Sequence, residues 1–404
     1  MKFCLIGEKL GHSFSVPIHR FYGAEYELRE IARDSLGDFV KNCPFDGFNV
    51  TIPYKTEIMR YLDEVDSRAA KIGSVNTVVY RGGKSVGYNT DIDGMAEMLA
   101  FQGIPLGNKH VMILGSGGTG RTAAALAAEA GAKSVTVVSR KGKVNYANYT
   151  EKKETQIVIN TAPVGMYPDN GGKLISLDFP ALEGVADVIY NPLKTRLILE
   201  AEARGVPAAG GLRMLVAQAF FSEALWRGIS LDRALLDGAY RALRREMTNV
   251  VLIGMPGAGK SAIARRLSAC PVETDALVEA RAGKTIPALF EEAGERAFRD
   301  LESAAVREAA ALHGRVISTG GGAVLRQQNV EALRQNGVLI WVKRPLCMLA
   351  VKNRPLSGKQ GVENLYRARR KKYAAAADFA VNNGGTFART LRKIEEKLNE
   401  YFGD

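Results

Sequence analysis

The chain has 404 residues, enough for two or three domains, and its 46% hydrophobic and 24% charged residues suit ordinary packed cores without a run of about 18 apolar residues that would cross a membrane. Four cysteines far apart, with no C-x-x-C pair, and four histidines without H-E-x-x-H argue against a disulfide framework or a zinc site and point to a reducing, cytoplasmic setting. The net charge of +12 invites nucleic acid, yet no nucleic-acid-binding signature is present and basic residues recur beside phosphate-type loops, so anionic small molecules are the expected partners.

Met1-Lys2-Phe3-Cys4-Leu5-Ile6-Gly7 turns polar too soon for a signal peptide and reads as a short buried strand. Four polar segments follow: His12-Ser13-Phe14-Ser15, Asn49-Val50-Thr51-Ile52-Pro53-Tyr54-Lys55, Val75-Asn76-Thr77 and Asn89-Thr90-Asp91. Each alone is an ordinary turn with a capping residue. The apolar strand His110–Leu114 then runs into Gly115-Ser116-Gly117-Gly118-Thr119-Gly120, and an Ala-rich helix is expected over 122–130. Strand, G-x-G-x-x-G and helix together form a dinucleotide site. The first glycine permits the turn, the second admits a pyrophosphate, and the third lets helix and strand pack closely. The next strand, Ser134–Val138, ends at Ser139-Arg140-Lys141, where an NAD site would carry Asp or Glu; hydroxyl and cations there suit the 2′-phosphate of NADP(H).

Residues 211–246 read as largely helical, with an apolar stripe of Met214, Leu215, Ala219, Phe220, Leu225 and Trp226. After the short junction Met247-Thr248, a new apolar strand, Asn249–Ile253, opens on Gly254-Met255-Pro256-Gly257-Ala258-Gly259-Lys260-Ser261. This is G-x-x-x-x-G-K-S, the strongest single motif in the chain. Its backbone cradles the phosphates of ATP, Lys260 reaches the outer phosphates, and Ser261 reaches Mg2+. Strands alternating with helices throughout imply an α/β chain with mostly parallel sheets, in which 105–210 reads as a Rossmann NADP-binding domain and the chain from 249 as a P-loop domain.

Taken in order, the polar segments of residues 1–245 resemble shikimate dehydrogenase, whose H-S-x-S, N-V-T-x-P-x-K, V-N-T and N-T-D patterns are all present, along with Asn160-Thr161, Gly165-Met166 and Gly211-Leu212-Arg213-Met214-Leu215-Val216-Ala217-Gln218. The resemblance implies that Ser13 and Ser15 bind the substrate carboxylate and that Thr51, Asn76 and Gln218 bind the ring hydroxyls. Lys55 and Asp91 become the catalytic pair, Tyr190 stands near the substrate, and Met166 stands near the cofactor. A lysine suits ketone reduction because it can donate the proton that a developing alkoxide needs, with the carboxylate holding it in place. Val16 stands where the family usually has proline, Pro17 comes one place later, and Arg20 follows His19, which leaves the local turn geometry open.

Downstream of the second loop, the chain resembles shikimate kinase over 249 to about 383, through Glu273-Thr274-Asp275, Gly294-Glu295-Arg296-Ala297-Phe298-Arg299, Thr319-Gly320-Gly321-Gly322, Arg354-Pro355-Leu356 and Arg369 four residues before Tyr373. The resemblance implies that Asp275 binds and helps activate a substrate hydroxyl, that Arg299 and Arg369 hold the carboxylate, that Gly321 and Gly322 approach the ring, and that Arg354 closes over ATP. Glu273 replaces the family's first aspartate, which is thought to organise Mg2+ through water. The span from Ser261 to Glu273 is compact, so a shortened helix is expected, and the lid over 356–364 is short. The two resemblances also imply that 1–104 is an N-terminal α/β substrate domain completed by helices at 211–246 and that 249–404 is of the NMP-kinase-like three-layer α/β/α type.

The expected function is therefore bifunctional: NADPH-dependent reduction of 3-dehydroshikimate to shikimate, then ATP-dependent phosphorylation to shikimate 3-phosphate. The alternative is a quinate/shikimate dehydrogenase using NAD, fused to a nucleotide-binding module with weak or no kinase activity. A homodimer is compatible with the sequence, which leaves the oligomeric state open.

Overall fold

The computed structural model describes residues 1–11, 13–349 and 361–403. The chain divides into two compact units, Met1–Leu243 and Arg244–Asp404.

The first unit contains two sheets. Six strands, β1 (Lys2–Gly7), β2 (Glu25–Glu30), β3 (Gly47–Val50), β4 (Glu64–Val65), β5 (Thr77–Arg81) and β6 (Lys84–Tyr88), form a mixed sheet in the order β2-β1-β3-β5-β6-β4. β1 pairs in parallel with β2 and β3, whereas β5 pairs antiparallel with β3 and β6. The β5–β6 hairpin turns on Gly82 and Gly83, both at positive φ (58° and 80°), as a two-residue hairpin turn of the primed kind requires. The second sheet is parallel: β7 (His110–Leu114), β8 (Ser134–Val138), β9 (Ile157–Asn160), β10 (Gly184–Asp187) and β11 (Ala208–Ala209), in the order β11-β10-β9-β7-β8. Its central strands are near-continuous apolar runs, as strands covered on both faces must be. β7 lies between β8 and β9, so the chain crosses over it and leaves a crevice at the carboxyl ends of β7 and β9, the place where such sheets bind ligands.

Eight helices accompany these sheets: α1 (Ser15–Phe21), α2 (Leu36–Lys41), α3 (Ser67–Ile72), α4 (Asp91–Phe101), α5 (Gly118–Glu129), α6 (Arg196–Ala203), α7 (Leu212–Arg227) and α8 (Arg233–Met247). The helix expected over 122–130 starts four residues earlier, because the glycine loop supplies its first turn. The helical stretch expected over 211–246 is two helices, parted at Gly228 in the left-handed conformation (φ 64°). Pro17 falls in the first turn of α1, where a missing N–H leaves no intrahelical bond unmade, so the displaced proline is accommodated. Gly94 lets α4 and α7 touch: a Cβ there would lie 2.7 Å from the Met214 carbonyl oxygen.

The second unit is one parallel sheet of β12 (Asn249–Ile253), β13 (Val272–Glu273), β14 (Val316–Ser318), β15 (Gly337–Lys343) and β16 (Phe379–Asn382), in the order β13-β14-β12-β15-β16. Its helices are α9 (Lys260–Leu267), α10 (Thr274–Ala282), α11 (Ile286–Ala310), α12 (Gln327–Asn336), α13 (Val362–Ala376) and α14 (Phe387–Phe402). α9 has only eight residues, the shortened helix that the compact span implies. α11 is broken at Gly294 (φ 77°, ψ 177°). The core gathers Val251, Leu252, Ile253, Leu339, Ile340 and Tyr373, all buried. Among the described residues no helix is long and apolar enough to cross a membrane.

Asp187, at the end of β10, is fully buried, and its carboxylate accepts from three neutral donors: Thr195 Oγ1 at 2.7 Å, Asn160 Nδ2 at 3.0 Å and the Ile189 N–H at 3.0 Å. Burial pushes its carboxyl up to about 6, while those hydrogen bonds pull it down. A folded-state value above the unfolded one means that Asp187 contributes stability at low pH that is lost as the pH rises from about 4 through about 6. Asp187→Asn keeps the shape, with the Thr195 hydroxyl turning to accept. At pH 8 the variant is expected to be more stable than the parent by on the order of 1–3 kcal/mol, with the gain shrinking toward pH 4, in thermal melts of the full chain. A lower melting temperature at pH 8 contradicts this account.

Candidate active sites

The first cavity, about 200 Å³, lies between the mixed sheet and the glycine loop of the parallel sheet. Ser13, Ser15, Thr51, Lys55, Asn76, Asp91, Tyr190 and Gln218 all line it, so every substrate and catalytic residue expected from the dehydrogenase-like pattern converges there. β3 delivers Asn49 and, just beyond its end, Thr51. The loop that follows carries Lys55, the loop before β5 carries Asn76, and Asp91 opens α4. Lys55 Nζ lies 2.6 Å from Asp91 Oδ2, and Asn76 Nδ2 donates to Asp91 Oδ1 at 2.9 Å. Both side chains of the ion pair are largely buried yet reach the cavity. Ser13 Oγ lies 3.1 Å from Ser15 Oγ at the start of α1, so two hydroxyls sit side by side. Burial pushes the Tyr190 phenol up, and its ring meets Phe14 edge-on at 6.0 Å.

The glycine loop adjoins this cavity through Thr119. Gly115 has φ 108°, and a Cβ on Gly120 would run into the Gly115 carbonyl, so the third glycine is required for packing. A Cβ on Gly117 would meet nothing within 4 Å; that open face, at the N-terminus of α5, fits a pyrophosphate. Ser116 and Gly118 complete the turn. Thr161, just after β9, donates to the Leu114 carbonyl at 2.8 Å and fixes the neighbouring wall of the crevice. Beyond β8, Ser139 N–H bonds the Val144 carbonyl, and Arg140 and Lys141 are exposed on that loop with no carboxylate beside them in sequence. Met166 is 45% exposed in the loop after β9.

The second cavity, about 550 Å³, is lined by Gly257, Gly259, Lys260, Ser261, Glu273, Asp275, Arg299, Gly321, Gly322 and Arg369, while Gly254 and Ala258 belong to the same loop without lining it. Gly254, Gly257 and Gly259 have φ of 142°, 84° and 96°, values that side chains rarely take. Lys260 Nζ donates to the carbonyls of Gly254 and Met255 at 2.9 and 3.0 Å. Ser261 Oγ donates to Glu273 Oε2 at 2.6 Å, and Arg265 pairs with Glu273 Oε1 at 3.1 Å. The longer Glu273 side chain therefore still reaches the P-loop serine. A hydroxyl and a carboxylate in contact suit a hard cation that keeps most of its waters.

At the other end of the cavity Arg299 and Arg369 are both buried. Arg299 Nη1 donates to Glu302 Oε2 at 2.7 Å, and Arg369 Nη1 to the Gly321 carbonyl at 3.0 Å. Burial pushes the Glu302 carboxyl up, and Arg299 pulls it down. Arg299 also pairs with Glu295 Oε1 at 3.0 Å, so the two guanidiniums stand among carboxylates, Glu302 in the cavity and Glu295 on the same helix. A Cβ on Gly320 would lie 2.6 Å from Asp275 Oδ1 and displace that carboxylate; one on Gly322 would strike the Arg299 guanidinium. Arg354 and residues 356–360 of the lid lie outside the described residues.

Asn49, Met214 and Leu215 in the first cavity, and Glu279, Phe290, Phe298 and Glu302 in the second, were not assigned from sequence. Glu302 left a readable signal, three residues after Arg299 on one helix.

Comparison with known proteins agrees with both halves. A model of the shikimate dehydrogenase substrate binding domain matches residues 5–78, and a shikimate kinase model matches residues 256–399. The Clostridium beijerinckii shikimate dehydrogenase (NADP(+)) is 36% identical over 264 residues, covering 60% of this chain and 97% of that protein. Among solved structures, a chorismate mutase/shikimate 5-dehydrogenase fusion protein from Clostridium acetobutylicum is 36% identical with a TM-score of 0.57, covering 60% of this chain and 96% of that one. The Thermus thermophilus shikimate 5-dehydrogenase, solved with NADP(H) and shikimate, is 31% identical with a TM-score of 0.55, covering 60% and 99%. With the dehydrogenase match spanning nearly all of those relatives and the kinase model matching residues 256–399, the chain belongs to the shikimate dehydrogenase family and carries a shikimate kinase domain fused behind it.

Proposed function

We propose that the first cavity reduces 3-dehydroshikimate to shikimate with NADPH and that the second phosphorylates shikimate to shikimate 3-phosphate with MgATP. The observation that carries this reading is that both cavities pair carboxylate-binding groups with a proton-handling group. In the first these are the Ser13 and Ser15 hydroxyls and the Lys55–Asp91 pair; in the second, Arg299 and Arg369 with Asp275. The two buried guanidiniums at one end of the second cavity suit a carboxylate, which their planar forks can hold.

In the dehydrogenase half, Ser13 and Ser15 anchor the carboxylate, while Thr51, Asn76 and Gln218 orient the ring hydroxyls. Lys55 donates a proton to the oxygen on which charge develops, and Asp91 holds its ammonium in place. NADPH supplies the hydride when bound, its pyrophosphate against Gly115 to Gly120 and its 2′-phosphate near Ser139, Arg140 and Lys141. The intact serines favour shikimate over quinate, and the absence of an acidic residue after β8 favours NADP over NAD, in keeping with the cofactor named for the relatives. In the kinase half, Asp275 accepts a hydrogen bond from the attacking hydroxyl, while Arg299, Arg369, Gly321 and Gly322 hold the ring. Lys260 and the backbone of Gly257 to Gly259 hold phosphates, and Ser261 with Glu273 would hold Mg2+. The Ser261–Glu273 contact favours an active kinase over a silent nucleotide-binding module. Closure by Arg354 follows the family resemblance.

Two sets of variants test the reading. Lys55→Met is expected to remove shikimate oxidation while leaving shikimate-dependent ADP release unchanged. Gly322→Ala, which pushes Arg299 aside, is expected to lower kinase kcat/KM by about two orders of magnitude while leaving oxidation unchanged. Loss of both activities in either variant contradicts two separate sites. Arg140→Ala is expected to raise the KM for NADPH by about tenfold or more with little change for NADH. An unchanged NADPH-to-NADH ratio removes Arg140 from the cofactor site.

A further inference from the structure

Behind the first cavity, a chain of buried polar groups leads from the sheet to Asp91; its links run toward the carboxylate, with one bond, Asn76 Nδ2 to Thr90 Oγ1 at 3.0 Å, turned back into the chain. Their directions are set by backbone groups that have no choice. The Thr90 N–H can only donate, and it does so to Asn76 Oδ1 at 2.7 Å, so Asn76 Nδ2 must face the Asp91 carboxylate. The Asn76 carbonyl can only accept, and it takes Asn49 Nδ2 at 3.1 Å. Asn49 Oδ1 therefore faces Tyr26, whose hydroxyl donates at 2.7 Å.

Three buried hydroxyls join the two amides. Thr77 Oγ1 lies 2.8 Å from Ser222 Oγ and 3.1 Å from Thr90 Oγ1, and Thr90 and Ser222 lie 3.1 Å apart. Asn49 Nδ2 donates into this cluster, 3.1 Å from Thr77 and 3.0 Å from Ser222. The cluster has outward acceptors in the Gln218 carbonyl, 2.9 Å from Ser222 Oγ, and Asn76 Oδ1, 3.2 Å from both Thr77 and Thr90. Of three hydroxyl protons, two can leave by those acceptors and one stays inside. Hydrogen bonds arranged head to tail in a dry interior polarise one another, and here the last donor meets a carboxylate. The Tyr26 ring that starts the chain is stacked on His19 at 3.9 Å, and His19 Nδ1 lies 2.7 Å from the buried Glu223 Oε1.

We propose that this chain, from Tyr26 through Asn49 and the three hydroxyls to Asn76, is a positioning device that holds Asp91 and through it the Lys55 ammonium in the geometry for proton transfer. Tyr26, Thr77 and Ser222 do not line the cavity, so they are positioning residues. The inference rests on reading Lys55 and Asp91 as the proton-transfer pair. The carboxylate anchors Ser13 and Ser15 lie outside the chain, and Asn76 is its one member with a substrate role, so loss of the Tyr26 or Thr77 hydroxyl falls on kcat and largely spares KM.

The test uses the full chain and follows shikimate oxidation by NADP+. Thr77→Val removes the hydroxyl and keeps the shape, whereas Thr77→Ser keeps the hydroxyl. Thr77→Val is expected to lower kcat about tenfold with the KM for shikimate within about twofold of the parent, and Thr77→Ser to restore kcat. Kinase kinetics, read on the same samples, are expected to stay at parent values. Tyr26→Phe, which keeps the ring, is expected to give a smaller loss with the same kcat-only signature and carries the test if Thr77→Val does not fold. An unchanged kcat, an equal loss in the serine variant, or a loss confined to KM overturns the proposal. If the parent chain itself does not oxidise shikimate, the underlying reading fails, which is a distinguishable result.

Discussion

Each unit depends on a turn that only glycine can make at the end of a central parallel strand. β7 ends at Gly115 (φ 108°) and β12 at Gly254 (φ 142°), conformations that a Cβ strongly disfavours. The constraint continues beyond the turn: a Cβ on Gly120 would strike the Gly115 carbonyl, and one on Gly254 would come within 2.5 Å of the Val342 carbonyl. The helix that follows is drawn against the strand, and its N-terminus faces the crevice where anions bind. The crevices, the two cavities and the separation of their chemistries all follow from those two turns.

Around the turns, the buried polar groups that lead into the two cavities are held by partners. An unpaired polar group in a dry interior costs roughly 1–3 kcal/mol, so a network such as Tyr26–Asn49–Asn76–Asp91 persists because backbone groups fix its directions. The second cavity uses the same logic with charge. Arg299 is buried against Glu302 and Glu295, and Arg369 against the Gly321 carbonyl, so each buried cation has a partner. Asp187 is the exception: its partners are neutral donors, and burial keeps its carboxyl high.

Residues whose type is dictated by local geometry were legible before any coordinates. The glycines of both loops, Lys260 and Ser261 are of this kind, and the strands His110–Leu114, Ser134–Val138 and Asn249–Ile253 were read with their observed bounds. The start of α5 was misplaced because glycines, poor helix formers in general, serve there as its first turn. The dehydrogenase residues were legible only through family resemblance, since each of Ser13, Thr51, Asn76 and Asp91 sits in a turn that looks ordinary alone. Tyr26 and Ser222 carried no signal at all, and Thr77, though the last residue of the V-N-T segment, had no role assigned: the three meet only in the folded chain, and nothing local distinguishes a buried hydroxyl from an exposed one. Glu302 lay between, visible as a helical neighbour of Arg299 but without meaning until both were found buried beside Asp275 and Gly320.

The most direct test of the central claim, that two separate anion-cradling turns serve successive steps on one small acid, is a product analysis. Purified full chain is given 3-dehydroshikimate, NADPH and MgATP, and the products are followed by mass spectrometry. The account predicts shikimate 3-phosphate, with one NADPH oxidised and one ADP released per molecule formed, and accumulation of shikimate when ATP is withheld. Shikimate that accumulates with MgATP present, or NADPH that is never consumed, contradicts it.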